Sequence, residues 1–173
     1  MLLFLDYDGV LHPDDVVLRS DGSVELRALG DLFMWAPILA ETISDLDLQV
    51  VLSTSWVRQL GFKRALKALP KQLASKVVGA TWHSAMKLSG SGHILWDEQS
   101  RYEQIDSYLK RLTSSQKWLA SDDDAAGWPD DKFDHLVLTV PSLGLSDAGV
   151  RQELALRLLE NSKTVLPDDR KIP

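Results

Sequence analysis

Leu2 to Leu5 is a wholly apolar run, and Asp6-Tyr7-Asp8-Gly9 follows it directly. This junction constrains the fold more than any other stretch of the chain. A short apolar run without alternation reads as a strand buried on both faces, the mark of a parallel sheet covered by helices. Asp6 and Asp8 then stand at the mouth of that strand. Carboxylates so placed repel one another unless a cation sits between them.

Strand-like and helix-like segments alternate along the rest of the chain. Val16–Arg19 and Val24–Arg27 flank Ser20-Asp21-Gly22-Ser23, a hairpin signal. Trp35 to Leu46 has helical spacing, with Pro37 near its first turn. Leu48–Leu52 reads as a second buried strand. Val57 to Leu69 reads as one amphipathic helix ended by Pro70, and Lys71–Ser75 as a further turn. Lys76–Ala80 reads as a short strand and Thr81–Gly92 as a loop. Glu98–Leu112 is helical, Lys117–Ala120 a third buried strand and His135–Val140 a fourth. Ser146 is placed to cap a last helix running to about Leu159. Such alternation implies βαβ crossovers and one α/β domain over residues 1–173.

In parallel sheets ligands bind beyond the carboxyl ends of the strands. Asp6 and Asp8 follow the first strand, Thr54 and Ser55 the second, and Asp122, Asp123 and Asp124 the third. Two unit charges about 4 Å apart repel by roughly 4 kcal/mol at an effective dielectric near 20. A hard divalent cation removes that cost, and carboxylates with a backbone carbonyl and waters suit Mg²⁺. His12-Pro13 reads as the end of a loop rather than as a metal ligand. Asp124 reads as solvated. Trp56, Trp82 and Trp128 flank the candidate loops and read as core or lid packing.

Charge is unevenly spread. From Leu48 to Trp96 there is no Asp or Glu, while Arg58, Lys63, Arg64, Lys67, Lys71, Lys76 and Lys87 give that stretch +7. The remaining 12 basic and 25 acidic residues leave −13 on the rest. A solvated basic helix face accounts for this, and so does a positive rim for an anionic substrate. With no cysteine, thiolate metal sites and disulfides are excluded. The opening apolar run is too short for a signal peptide, and no stretch reaches the roughly 20 apolar residues of a bilayer span. The expectation is a cytoplasmic protein with no membrane partner.

These residues resemble the haloacid dehalogenase-like (HAD) superfamily. Asp6-Tyr7-Asp8-Gly9-Val10 resembles its first motif, Thr54 its second and Asp122-Asp123 its fourth. Its third motif is a single basic residue, for which Arg101 is the better match and Lys87 the rival. The chain is more closely similar to small HAD domains of bacterial RNA-repair-associated proteins, through "LFLDYDGVLHP", "STSW", "RYEQI", "DDD" and the late Gly144-Leu145-Ser146.

The resemblance implies a Rossmann-like three-layer sandwich with a minimal cap or none. It implies a Mg²⁺-dependent phosphomonoester hydrolase in which Asp6 is the nucleophile and Asp8 the general acid and base. Thr54 would hold a phosphoryl oxygen and Arg101 would offset charge. Mg²⁺ would be held by Asp6, the backbone carbonyl of Asp8, and Asp122 and Asp123. Gly9 lets the backbone approach the anion, and Ser55, Arg58, Lys63 and Lys67 are candidate substrate contacts. The intervals after the first and second motifs are short, so the expected site is open and suits a phosphorylated macromolecule, a nucleic-acid end among them. The alternatives are a binding module without turnover and a small-metabolite phosphatase or nucleotidase.

Overall fold

The structure, a computed structural model, describes residues 1–88 and 94–162, without the side chains of Lys87 and Leu88. Its centre is a parallel sheet of five strands: β1 (Leu2–Leu5), β4 (Gln49–Leu52), β5 (Val77–Ala80), β6 (Trp118–Asp122) and β7 (Leu136–Leu138). Their order is β5-β4-β1-β6-β7, so β1 is the middle strand. An antiparallel hairpin, β2 (Val16–Leu18) and β3 (Val24–Leu26), stands apart from that sheet.

The two-residue period of β1 divides the core. Leu3 and Leu5 pack with Val50, Leu52 and Leu119 against α1 (Ala36–Thr42) and α7 (Ala148–Ser162). Leu2 and Phe4 point to the other face and meet Ile105 of α6 (Arg101–Leu109) and Trp128. Helices cover both faces, as the unbroken apolar run requires. Each Leu or Phe so buried contributes about 1.5–3 kcal/mol.

Several boundaries differ from the sequence expectation. The helix expected over Val57–Leu69 is two, α2 (Ser55–Leu60) and α3 (Phe62–Ala68). Gly61 between them sits at φ 86°, a left-handed conformation that glycine adopts without a Cβ penalty. The expected turn after Pro70 is α4 (Lys71–Ala74). The helix expected from Glu98 is also two, α5 (Leu95–Glu98) and α6, because a capping box between Ser100 and Glu103 starts α6 afresh. Asp147, rather than Ser146, caps α7 by accepting the Val150 N–H at 2.9 Å. Within the expected loop 81–92, Ser84–Leu88 forms a 3₁₀ turn, and 89–92 lie outside the described residues. β6 runs two residues further than its apolar pattern, through Ser121 and Asp122, because pairing with β1 and β7 continues there.

Candidate metal and phosphate site

Backbone hydrogen bonds bring the strand ends to one edge. Ser53 N–H donates to Leu5, Thr81 N–H to Leu52, Asp6 N–H to Ser121 and Thr139 N–H to Asp122. The side chains that leave this edge therefore share a small volume.

Asp6, Asp122 and Asp123 each offer a carboxylate oxygen, all within 4.8 Å of one another. Asp6 Oδ1 accepts the Tyr7 N–H at 2.6 Å and Oδ2 accepts Arg101 Nη2 at 3.0 Å. Arg101 also sets Nε 3.0 Å from Asp122 Oδ2, so one guanidinium spans both acids. That second contact is an ion pair without hydrogen-bond alignment, and Asp122 Oδ2 is buried with no hydrogen-bond partner. Asp122 Oδ1 accepts the Asp124 N–H at 3.0 Å, which ties down the loop after β6.

The electrostatics follow from burial and crowding. Burial raises the pKa of Asp6, with Arg101 opposing and Asp8 reinforcing the rise. Burial and then Asp6 hold Asp122 well above the usual carboxylate range. Burial and then Asp6 push Asp123 up to about 7. Arg101 loses solvation in the same place, and Asp6 and then Asp122 outweigh that loss and raise its pKa. One guanidinium therefore faces three carboxylates. An orphaned buried oxygen among three converging hard ligands fits a divalent cation with oxygen preference.

Asp8 is not one of the three clustered carboxylates. Its Oδ1 accepts two hydrogen bonds, from Trp56 Nε1 at 2.8 Å and from His12 Nε2 at 3.0 Å. The tautomer of His12 follows from its other nitrogen. Nδ1 lies 3.3 Å from the Phe33 backbone nitrogen, which can only donate, so Nδ1 accepts and Nε2 carries the hydrogen. His12 is fully buried, and Phe33 holds a left-handed backbone at φ 63° to present that N–H.

A family model described as "HAD domain in Swiss Army Knife RNA repair proteins" matches residues 2–150. The chain belongs to that family. No curated protein and no solved structure matches it. Membership of this HAD family points to hydrolase chemistry of the phosphatase kind.

Within this HAD domain the remaining candidates are dispersed. Thr54 is buried beside Asp6, and its Oγ1 accepts the Trp56 N–H at 3.3 Å. Gly9 lies at φ 68°, and a Cβ there would come 2.2 Å from Asp123 Oδ2. Ser55 and Asp8 share the wall of a small cavity of about 50 Å³. Arg58 is engaged elsewhere: its Nε and Nη2 donate to Asp97 at 2.9 and 2.8 Å, and its guanidinium lies over Trp82. Lys63 and Lys67 are exposed on α3. The Lys87 side chain lies outside the described residues, and Arg101 is the basic residue that contacts the cluster.

His12, Trp56 and Thr139 were not among the expected site residues. His12 carried a weak signal, a histidine four residues after Asp8 in the same loop. Trp56 reached Asp8 from α2, which no spacing reveals. Thr139 follows β7 at the same sheet edge, and its Oγ1 donates to the Gly9 carbonyl at 2.7 Å. No described helix is long and apolar enough to cross a membrane.

Proposed function

We propose that this HAD domain is a Mg²⁺-dependent phosphomonoester hydrolase that works through an aspartyl-phosphate. The observation that carries the reading is the division of labour among its acids. Asp6 sits in the carboxylate cluster with Arg101, while Asp8 is bound by His12 and Trp56.

The residues divide the reaction as follows. An Asp6 carboxylate oxygen attacks phosphorus, and the bond to the leaving ester oxygen breaks. Asp8 delivers a proton to that oxygen. Its Oδ1 already accepts two hydrogen bonds, so Oδ2 is the atom free to carry the proton. Asp8 then takes a proton from water as the water attacks phosphorus, which frees Asp6 and inorganic phosphate. Thr54 Oγ1 uses a lone pair on the Trp56 N–H, so its hydroxyl hydrogen can turn to a phosphoryl oxygen. Arg101 offsets negative charge as the phosphoryl group transfers. Asp6, Asp122 and Asp123, with the Asp8 backbone carbonyl, would hold Mg²⁺, which when bound supplies charge neutralisation at the phosphoryl oxygens.

The intervals between motifs leave little chain for a cap, which favours a large substrate. The family description names RNA repair proteins, and the acid-free stretch offers Lys63 and Lys67 to further phosphates. A phosphorylated nucleic-acid end is therefore the favoured substrate class. The test is a phosphatase screen with Mg²⁺ over nucleotides, sugar phosphates and 3′- or 5′-phosphorylated oligonucleotides, run on wild type and Asp6→Asn. Turnover in the wild type and none in Asp6→Asn is expected. Wild-type-like activity in Asp6→Asn would sink the mechanism.

A further inference from the structure

A cavity of about 690 Å³ lies at the β5 edge of the sheet, outside the carboxylate cluster. Phe62, Val78, Ala80 and Trp82 give it apolar walls, and Lys63 and Arg64 line it as cations. Part of that wall comes from an irregular strand. Val50 pairs with Val77, but Val51 pairs with Gly79, so Val78 is an extra residue in β5. Such a bulge re-aims its side chain out of the ladder, and Val78 is half exposed. Phe62, at the start of α3, is exposed as well.

The cavity adjoins the hollow beside Asp8 across the end of α2. Leu60 lines both it and the small hollow that touches Asp8, Ser55 and Gln59. Ser55 and Leu60 are the two ends of α2, about 7–8 Å apart at the α-helical rise. A group attached to a phosphate at Asp6 could extend past α2 and reach the cavity.

Chemistry selects the occupant. The walls are apolar and aromatic, and the volume falls in the range of small-molecule sites. The surrounding stretch from Leu48 to Trp96 has no acidic residue. Lys63 and Lys67 form no ion pair among the described residues. An apolar planar ring joined to an anionic backbone satisfies all three.

We propose that this cleft takes the base of a nucleotide adjoining the phosphate at Asp6, in a single-stranded polynucleotide. The base stacks on Phe62, and the following phosphates face Lys63 and Lys67. Stacking of this kind tolerates sequence, because every base has a π-face. A base held in a duplex cannot enter, so the cleft selects single-stranded ends. The inference rests on the reading of Asp6 as the residue facing phosphate.

The test is fluorescence anisotropy with full-length Asp6→Asn protein in Mg²⁺. The probes are a labelled single-stranded oligonucleotide with a terminal phosphate and the same oligonucleotide lacking the bases of its two terminal nucleotides. Loss of those bases should weaken binding roughly 5- to 100-fold. Adding Phe62→Ala or Val78→Glu should weaken the complete oligonucleotide similarly and the abasic one little. Both positions are exposed, so either substitution leaves the core intact. In an otherwise wild-type background, neither should change turnover of a small aryl phosphate. Equal affinity for both probes, or binding of neither, overturns the proposal. A wild-type dimer that Val78→Glu dissociates, with base-independent binding, also overturns it and assigns the cleft to self-association. Base-dependent binding in a protein that turns over no phosphate ester would uphold the cleft and reject the hydrolase reading.

Discussion

His12 donates its Nε2–H to Asp8 Oδ1 across 3.0 Å while its Nδ1 accepts the Phe33 N–H. The imidazole is thus a fixed, buried donor, and it holds the carboxylate proposed to move protons. His12→Ala removes that donor and strands the Phe33 N–H, which should cost about 1–3 kcal/mol of stability. If Asp8 is the acid and base, kcat should also fall by about 10- to 100-fold through misplacement, with KM nearly unchanged. Steady-state kinetics on a phosphate ester checks this. An unchanged kcat would assign His12 to packing alone.

The carboxylate cluster predicts metal-dependent stability. Mg²⁺ at about 100 times its dissociation constant should add roughly 2.7 kcal/mol by mass action. For a chain of this size that raises Tm by about 5–11 °C. Asp122→Asn should remove most of the rise, since it alters the ligand whose Oδ2 has no hydrogen bond. Scanning calorimetry with chelator and with saturating Mg²⁺ decides it, and equal melting temperatures in wild type would rule out a metal site.

The raised acids set the sign of the pH dependence in metal-free protein. Asp123 is pushed up to about 7 when folded, against about 3.9 for an unperturbed Asp. The folded state therefore binds the proton more tightly. This contribution to stability is complete below about pH 4 and is lost as pH rises through about 7. Asp6 and Asp122 are shifted in the same direction. In chelator, Tm should drop between pH 5 and 8, and Asp123→Asn should flatten the drop. A Tm that rises over that range would contradict the crowded-acid account.

Gly9 couples the first motif to the fourth. A Cβ at this position would meet Asp123 Oδ2 at 2.2 Å, and φ is 68°. Gly9→Ala should displace the Asp123 carboxylate and weaken Mg²⁺ binding by about 10-fold or more, read by calorimetric titration. Undiminished affinity would show that Asp123 is dispensable for the metal.

The sequence by itself determined the α/β class, the burial of β1 on both faces and the acids at the strand ends. An apolar run without alternation has one stable environment, and parallel topology sends its carboxyl end to one edge with its neighbours. The hairpin at Ser20–Ser23 was legible for a similarly local reason, its Asp-Gly turn. Local pattern failed where tertiary pairing outweighed it. Ser121 and Asp122 look like a loop but complete β6, because β1 and β7 offer their hydrogen bonds. Gly61 interrupts an amphipathic period that reads as continuous.

The tertiary structure alone decided the use of individual side chains. Arg58 looks like a free cation by charge pattern, yet Asp97, thirty-nine residues away, holds both its donors. Trp56 and His12 reach the same oxygen of Asp8 from different elements. Such contacts depend on the mutual placement of elements far apart in the chain, and spacing carries no record of that. Patterning fixes which residues are buried and which edge they leave; packing fixes which atoms then meet.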